Sequence, residues 1–197
     1  LQEYAKLFHL DKKSGVEIAE AEPHITSQYG IPSAIGQGTH NYSTVQLARY
    51  INSVASNGKV YSLSLVNAVK NGNGKLASKK AVVEDEIELP AYVWDTVHSG
   101  MEQFVKNNAV LKDLKLKIAG KTGTAQEAAD RPDHSLFAGY APADKPEISI
   151  AVRIANGYGS SNATSIGRDI FRYYFKLDKK KNIITGRASQ AVHTSTD

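Results

Sequence analysis

Between residues 114 and 154 the sequence carries three strand signals in a row, separated only by short polar stretches. Leu114, Leu116 and Ile118 alternate with lysines and run into Gly120-Lys121-Thr122-Gly123-Thr124, the period of two that a strand with one buried face requires. Residues 136–140 and the set Ile148, Ile150, Val152 and Ile154 give two further strands, joined by the turn Ala141-Pro142-Ala143-Asp144. Three consecutive strands joined by such loops predict an antiparallel meander.

Helical spacing brackets this block. Val93, Val97, Met101, Phe104 and Val105 predict a helix with Pro90 in its first turn and its end at Asn107-Asn108. Ile166, Ile170, Phe171 and Tyr174 predict the inner face of a last helix, capped by Asn162 or Thr164. Further upstream, Val45, Leu47, Ala48, Ile51, Val54 and Ala55 form an apolar face behind an N-cap at Ser43 or Thr44, and Asn57-Gly58 stops it. Tyr4, Leu7, Phe8 and Leu10 suggest a short amphipathic helix closing at Gly15, then an extended piece over residues 16–19. Residues 23–41, rich in Gly, Pro, Ser and Thr, read as loop, with Gly36-Gln37-Gly38 just before the clearer helix. Residues 59–69 are expected to pair with residues 81–83 as a surface hairpin across the turn Asn71-Gly72-Asn73-Gly74.

At 197 residues, 41% of them apolar and 22% charged, the chain can bury a core without staples or metal. No apolar run approaches the roughly 20 residues that span a bilayer. The first residues lack the features of a secretory signal, so an export signal or anchor is expected upstream of Leu1. Cysteine is absent, which removes disulfides, thiolate metal sites and a cysteine nucleophile. The net charge of +4 is accounted for by Lys176, Lys179, Lys180, Lys181 and Arg187 against Asp178. A basic run of that kind reads as a solvated tail, and no nucleic-acid module is recognisable.

Residues 119–123 end in the Gly-Lys-Thr of a phosphate loop, but the earlier glycine that loop needs would fall at Lys115. A dinucleotide fingerprint starting at Gly36 fails at Asn41 in the same way. His9, His24, His40, His98, His134 and His193 are dispersed, and His98 with Glu102 reads as a surface pair at helical spacing. No metal or cofactor is expected. What remains is Lys-Thr-Gly-Thr-Ala-Gln, residues 121–126, on a strand.

Its context is informative. Residues 35–59 (IGQGTHNYSTVQLARYINSVASNGK) and 137–157 (FAGYAPADKPEISIAVRIANG) resemble, in order and spacing around Lys-Thr-Gly, segments of class B penicillin-binding proteins, the monofunctional cell-wall transpeptidases of bacteria. The resemblance runs from about Tyr4 to Phe175. It implies the α/β transpeptidase fold of the penicillin-recognising serine enzymes, an antiparallel sheet with helices on both sides, here only its later part, over residues 1–175. Residues 176–197 would be a polar basic tail. Such enzymes transfer an acyl group through a serine ester, using Ser-x-x-Lys, Ser-x-Asn and Lys-Thr/Ser-Gly motifs.

By that resemblance Lys121 would hydrogen-bond the serine of Ser-x-Asn and supply positive potential, and Thr122 and Thr124 would offer hydroxyls to the carboxylate of a peptide stem or a β-lactam. Gly123 would let substrate lie against the strand, and the Thr124 N–H would be one donor of the oxyanion hole, a group that can contribute roughly 3 kcal/mol. Gln126 and Gln37 are added as substrate-binding candidates. The departure from the family at residues 43–45, Ser-Thr-Val in place of its usual Thr-Pro, keeps good capping residues.

Two near-matches do not replace the other motifs. Ser56-Asn57-Gly58-Lys59 sits at a helix end where a nucleophile belongs at a helix start, and Ser160-Ser161-Asn162 follows the Lys-Thr-Gly strand where Ser-x-Asn should precede it. The nucleophile is therefore expected upstream, in a longer protein that cross-links peptidoglycan at the outer face of the cytoplasmic membrane, with other cell-wall synthesis proteins as possible partners. β-Lactamases and β-lactam sensors also carry Lys-Thr-Gly, but the residue 35–38 and 137–144 blocks favour the transpeptidase. A non-catalytic peptide- or β-lactam-binding module is the alternative, and the sequence upstream of Leu1 separates the two.

Overall fold

A computed structural model describes residues 1–27, 30–127 and 129–177. The chain divides into two compact units, Leu1–Leu89 and Pro90–Asp197.

In the first unit, α1 (Gln2–Leu7) ends well short of Gly15. His9 adopts a left-handed φ of 56°, and the bonds Leu10 N–H to Ala5 O (2.8 Å) and His9 N–H to Lys6 O (2.9 Å) close a Schellman turn. Residues 16–19 form no strand. The expected loop at 23–41 contains a one-turn helix, α2 (Gly30–Ala34).

Helix α3 (Thr44–Ala55) is capped by Ser43 in a reciprocal capping box with Gln46. Asn57 and Gly58 take positive φ, and Gly58 N–H returns to Ser53 O at 2.8 Å. Its buried face includes two long polar side chains that the apolar spacing did not reveal. The Gln46 side-chain amide donates to Lys12 O at 2.7 Å, and Arg49 donates to Ser14 O (3.3 Å) and His9 O (3.0 Å). Both are buried because they supply donors to a 9–14 segment whose carbonyls have no ladder partners.

The single hairpin expected from 59 to 83 is instead two nested ones. Strand β2 (Ala68–Lys70) pairs with β3 (Leu76–Ser78) around the Asn-Gly turn, while β1 (Lys59–Tyr61) pairs with β4 (Val83–Glu86), with a bulge between Val60 and Tyr61.

In the second unit, α4 (Ala91–Asn107) has Pro90 as its N-cap residue, just outside the first turn where it was expected. Residues 108–118 then turn rather than extend. Leu111 is buried, Leu114 and Leu116 pack against the core, and the strand begins only at Ala119. The alternation 114/116/118 thus marks packing positions, not strand positions.

The meander itself is present. Strands β5 (Ala119–Ala125), β6 (His134–Ala141) and β7 (Ile148–Ile154) form an antiparallel sheet in the order β5-β6-β7. Helix α5 (Ser160–Tyr174) packs across all three strands and α4 packs on β5. Gly159 is the N-cap of α5, not Asn162 or Thr164; the Asn162 side chain instead donates to Gly157 O at 2.8 Å. The inner face is also rotated from the expected one. Ala163, Thr164, Gly167 and Phe171 are buried, whereas Ile166 and Tyr174 are exposed, because small residues are what the sheet surface admits. The tail expected from Lys176 lies, from residue 178 onward, outside the described residues.

Candidate active site

Strand β5 leaves the core as it runs. Ile118, Ala119 and Gly120 are buried, and Lys121 is exposed. Among the described residues the strand lies at the edge of its sheet, where backbone groups on one side have no neighbouring strand to pair with. Register places Lys121 opposite Ala138, Thr122 opposite Phe137, Gly123 opposite Leu136 and Thr124 opposite Ser135. Directly paired residues share a face. Thr122 and Thr124 therefore belong with Phe137 and Ser135, and Lys121 and Gly123 lie on the other face.

The Lys121 ammonium stands 5.2 Å from the centre of the Phe104 ring on α4 and donates to Thr122 O at 3.0 Å. An exposed cation on a ring face gains about 0.5–1 kcal/mol, so this charge is oriented without being buried.

What fixes β5 is the ring of Phe137, 1% exposed. A Cβ on Gly120 would lie 2.8 Å from the ring, one on Gly139 would lie 3.0 Å from it and 2.7 Å from Ala119 O, and one on Gly167 would lie 2.5 Å from it. Three glycines on β5, β6 and α5 thus surround one aromatic side chain, and each admits the ring only because it lacks a side chain. Gly123 is different. A Cβ there would meet Leu136 at an ordinary 3.5 Å, so the sheet does not itself require that glycine, and any need for it belongs to what lies against the strand.

Past the end of β5 is a polar cluster that sequence spacing did not mark. The His134 ring, buried at the start of β6, lies with Nε2 2.7 Å from Glu127 Oε2 and 3.2 Å from Arg153 Nη2, and Nδ1 accepts the Asn156 N–H at 3.0 Å. His98 is likewise not the surface pair expected with Glu102. It is half-buried and hydrogen-bonded through Nδ1 to the Tyr140 hydroxyl, the rings meeting edge to face. Burial holds His98 below the ordinary imidazole range. Burial, with the Glu102 carboxylate adding to it, pushes Tyr140 up to about 12. No periodicity within one element foretells either contact, since each joins separate elements.

The structure gathers Lys121, Thr122, Gly123 and Thr124 on one strand, with Gln126 just past its end. Gln37 belongs to the first unit, half-buried after Gly36 (φ 79°), its N–H donating to Pro32 O at 2.7 Å. Ser56 is the C-cap of α3, its hydroxyl donating to Asn52 O at 2.8 Å and Lys59 O at 3.1 Å. Residues 160–162 open α5.

A helix-flanked antiparallel sheet with Lys-Thr-Gly on its edge strand is the fold of penicillin-binding transpeptidase domains. Solved structures that share it include penicillin-binding protein 2B of Streptococcus pneumoniae strain R6, with a TM-score of 0.74 and 24% identity over 92% of this chain and 33% of that one, and PBPA of Mycobacterium tuberculosis, with a TM-score of 0.77 and 22% identity over 85% of this chain and 44% of that one. Among curated relatives, penicillin-binding protein 2A of Bacillus subtilis is 28% identical over 91% of this chain and 29% of its own length. The peptidoglycan D,D-transpeptidase MrdA of Acinetobacter baumannii is 32% identical over 78% of this chain and 25% of its own. The chain thus spans between a quarter and three tenths of these relatives. The family described as penicillin binding protein transpeptidase domain matches residues 1–172, and the chain belongs to it. The resemblance to class B penicillin-binding proteins is borne out.

Proposed function

We propose that this chain supplies the Lys-Thr-Gly strand of a serine D,D-transpeptidase that cross-links peptidoglycan. The observation that carries the reading is the Lys121-Thr122-Gly123-Thr124 segment, exposed at Lys121 and Thr124, on a strand that is at the sheet edge among the described residues, in a chain whose family membership extends over residues 1–172. A serine elsewhere in the parent polypeptide attacks the D-Ala-D-Ala carbonyl, the terminal D-Ala leaves, and an amine then takes the acyl group. Lys121 supplies fixed positive potential near the serine, and Thr122 and Thr124, although they leave the opposite face of the strand, are the hydroxyls that the family resemblance assigns to the stem's carboxylate. The Thr124 N–H is one oxyanion donor, and Gly123 keeps the strand's surface low where substrate lies. Gln126, just past the end of the strand, is a further substrate contact.

A β-lactam occupies the same site, in line with relatives solved as imipenem and penicillin G acyl-enzyme complexes. Peptidoglycan lies outside the cytoplasmic membrane, so the site faces that side. Among the described residues no helix is long and apolar enough to cross a membrane. Another relative was solved within a peptidoglycan synthase complex, which favours cell-wall synthesis proteins as partners.

No serine of this chain is proposed as the nucleophile, since Ser56 closes a helix and Ser160 and Ser161, which open one, lack the lysine of Ser-x-x-Lys three residues on. The test is labelling with a fluorescent penicillin. The complete gene product should form an adduct that survives denaturation, and residues 1–197 alone should form none. An unlabelled complete product defeats the transpeptidase reading; a labelled band from residues 1–197 that disappears on Ser56→Ala defeats the assignment of the nucleophile elsewhere.

A further inference from the structure

Three chain segments meet at one buried imidazole. His134 pairs with Ala125, the last residue of β5, and opens β6. Its Nδ1 accepts the backbone N–H of Asn156 at 3.0 Å, just beyond β7, where Asn156 takes a left-handed φ of 52°. A nitrogen that accepts carries no proton, so in the neutral ring the proton sits on Nε2 and is donated to Glu127 Oε2 at 2.7 Å. The Arg153 Nη2 lies 3.2 Å from the same Nε2; with the proton on that nitrogen both groups are donors, so this approach adds no hydrogen bond to the one with Glu127.

Glu127 lies two residues past the end of β5, on the segment that leaves the Lys-Thr-Gly strand. Along its other long side β5 has no strand neighbour among the described residues. Past Ala125 the sheet register no longer holds the chain. The carboxylate–imidazole bond ties that departing segment back to β6 and to the β7–α5 connection.

The geometry points to His134 and Glu127 as positioning residues that clasp the end of the Lys-Thr-Gly strand and so fix where Thr124 and Gln126 present themselves to substrate. This rests on the transpeptidase reading for its consequence in catalysis, but not for the clasp itself. A mobile strand end moves the Thr124 N–H off the developing oxyanion, and displacement by about 1 Å can cost 100-fold in rate. Glu127 is exposed, so the clasp is a modest restraint, as exposed charge pairs are. Its effect is on geometry more than on global stability.

The test uses the complete gene product with Glu127→Ala, Glu127→Gln, His134→Asn and the Glu127→Ala/His134→Asn double variant. Glu127→Ala leaves the core untouched. Glu127→Gln keeps an oxygen that accepts from Nε2–H. His134→Asn keeps an acceptor near Nδ1 but does not reach Glu127. Hydrogen exchange across residues 121–127 should run about threefold faster in Glu127→Ala and His134→Asn, as expected for loss of a weak restraint, with the double variant no faster than either single one. Glu127→Gln should exchange at the parental rate. Acylation by penicillin should follow the same order, falling roughly tenfold in Glu127→Ala and returning in Glu127→Gln. Parental exchange in Glu127→Ala, or equal effects of the alanine and glutamine variants, overturns the clasp. If the parent is not acylated at all, the transpeptidase reading fails while the exchange result still decides the clasp.

Discussion

Gly167 and Phe137 are in contact so close that a single added methyl on the helix residue would stand 2.5 Å from Cδ1 of the ring. The ring is enclosed by β5, β6 and α5, so it cannot step aside without moving a strand.

Two opposed effects act on Gly167→Ala. Alanine favours a helix over glycine by about 1 kcal/mol, whereas forcing a methyl into a packed core costs typically 1–3 kcal/mol. Because the neighbour here is an enclosed ring, the packing term should win and stability should fall by about 1–2 kcal/mol. Gly100, in α4, has nothing within 4 Å of an added Cβ, so Gly100→Ala should raise stability by about 0.5–1 kcal/mol. Urea denaturation of the pair checks the argument; equal signs for the two variants would sink it.

Tyr140 should set the alkaline limit of the second unit. Its folded-state pKa is raised to about 12, chiefly by burial, so the unfolded chain loses this proton first. The stability it holds is fully present below pH 10 and is lost as pH rises from 10 toward 12. Tyr140→Phe should remove that slope while losing the bond to His98, at a cost of about 0.5–1.5 kcal/mol near neutrality. His98, whose pKa is lowered by burial, adds an acid-side loss as pH falls below its unfolded value near 6.5. Thermal melts from pH 5 to 11.5 measure both arms.

In the first unit Glu17 should add a small acid-side loss, kept small by its exposure to solvent. Hydrogen bonds from Ser64 and from the Leu65 N–H, with Lys79 nearby, bring its carboxyl down to about 2. A depressed carboxylate contributes stability that is present above its unfolded value of 4.5 and lost as pH falls toward 2. Glu17→Gln should therefore melt slightly lower than the parent at pH 6, with the gap closing as pH falls through about 2. A constant offset at every pH would mean that charge is not the cause.

Lys121→Ala in the complete gene product should lower penicillin acylation by about 100-fold or more while moving the melting temperature little. The lysine is exposed, so its removal strands no buried charge; only its modest contact with Phe104 is lost. Parental acylation in a folded Lys121→Ala would remove Lys121 from the site.

The sequence disclosed the meander, α3, α4 and the Lys-Thr-Gly strand because each depends on local periodicity and capping. It misled where tertiary packing overrode local pattern. Leu114 and Leu116 alternate like strand residues yet pack from a turn, and α5 buries Ala163 and Gly167 where Ile166 seemed the better inward residue. The nested hairpins escaped because one Asn-Gly turn fits either pairing, and the bulge at Val60/Tyr61 carries no sequence mark. Of the site, the residues on one strand were legible as a motif. The contacts of His134 with Glu127 and Asn156, and of His98 with Tyr140, join separate elements and the segments between them, which no single-element pattern encodes.

The consecutive order of β5, β6 and β7 also bears on how the second unit forms. Each strand pairs with its neighbour in sequence across a short loop, 126–133 or 142–147, so little loop-closure entropy precedes the first contacts, and topologies of low contact order fold fast. The ring of Phe137 can then recruit α5 onto a sheet already assembled, which makes substitutions at Phe137 ones that slow folding, and substitutions at exposed Lys121 or Thr124 ones that leave its speed unchanged.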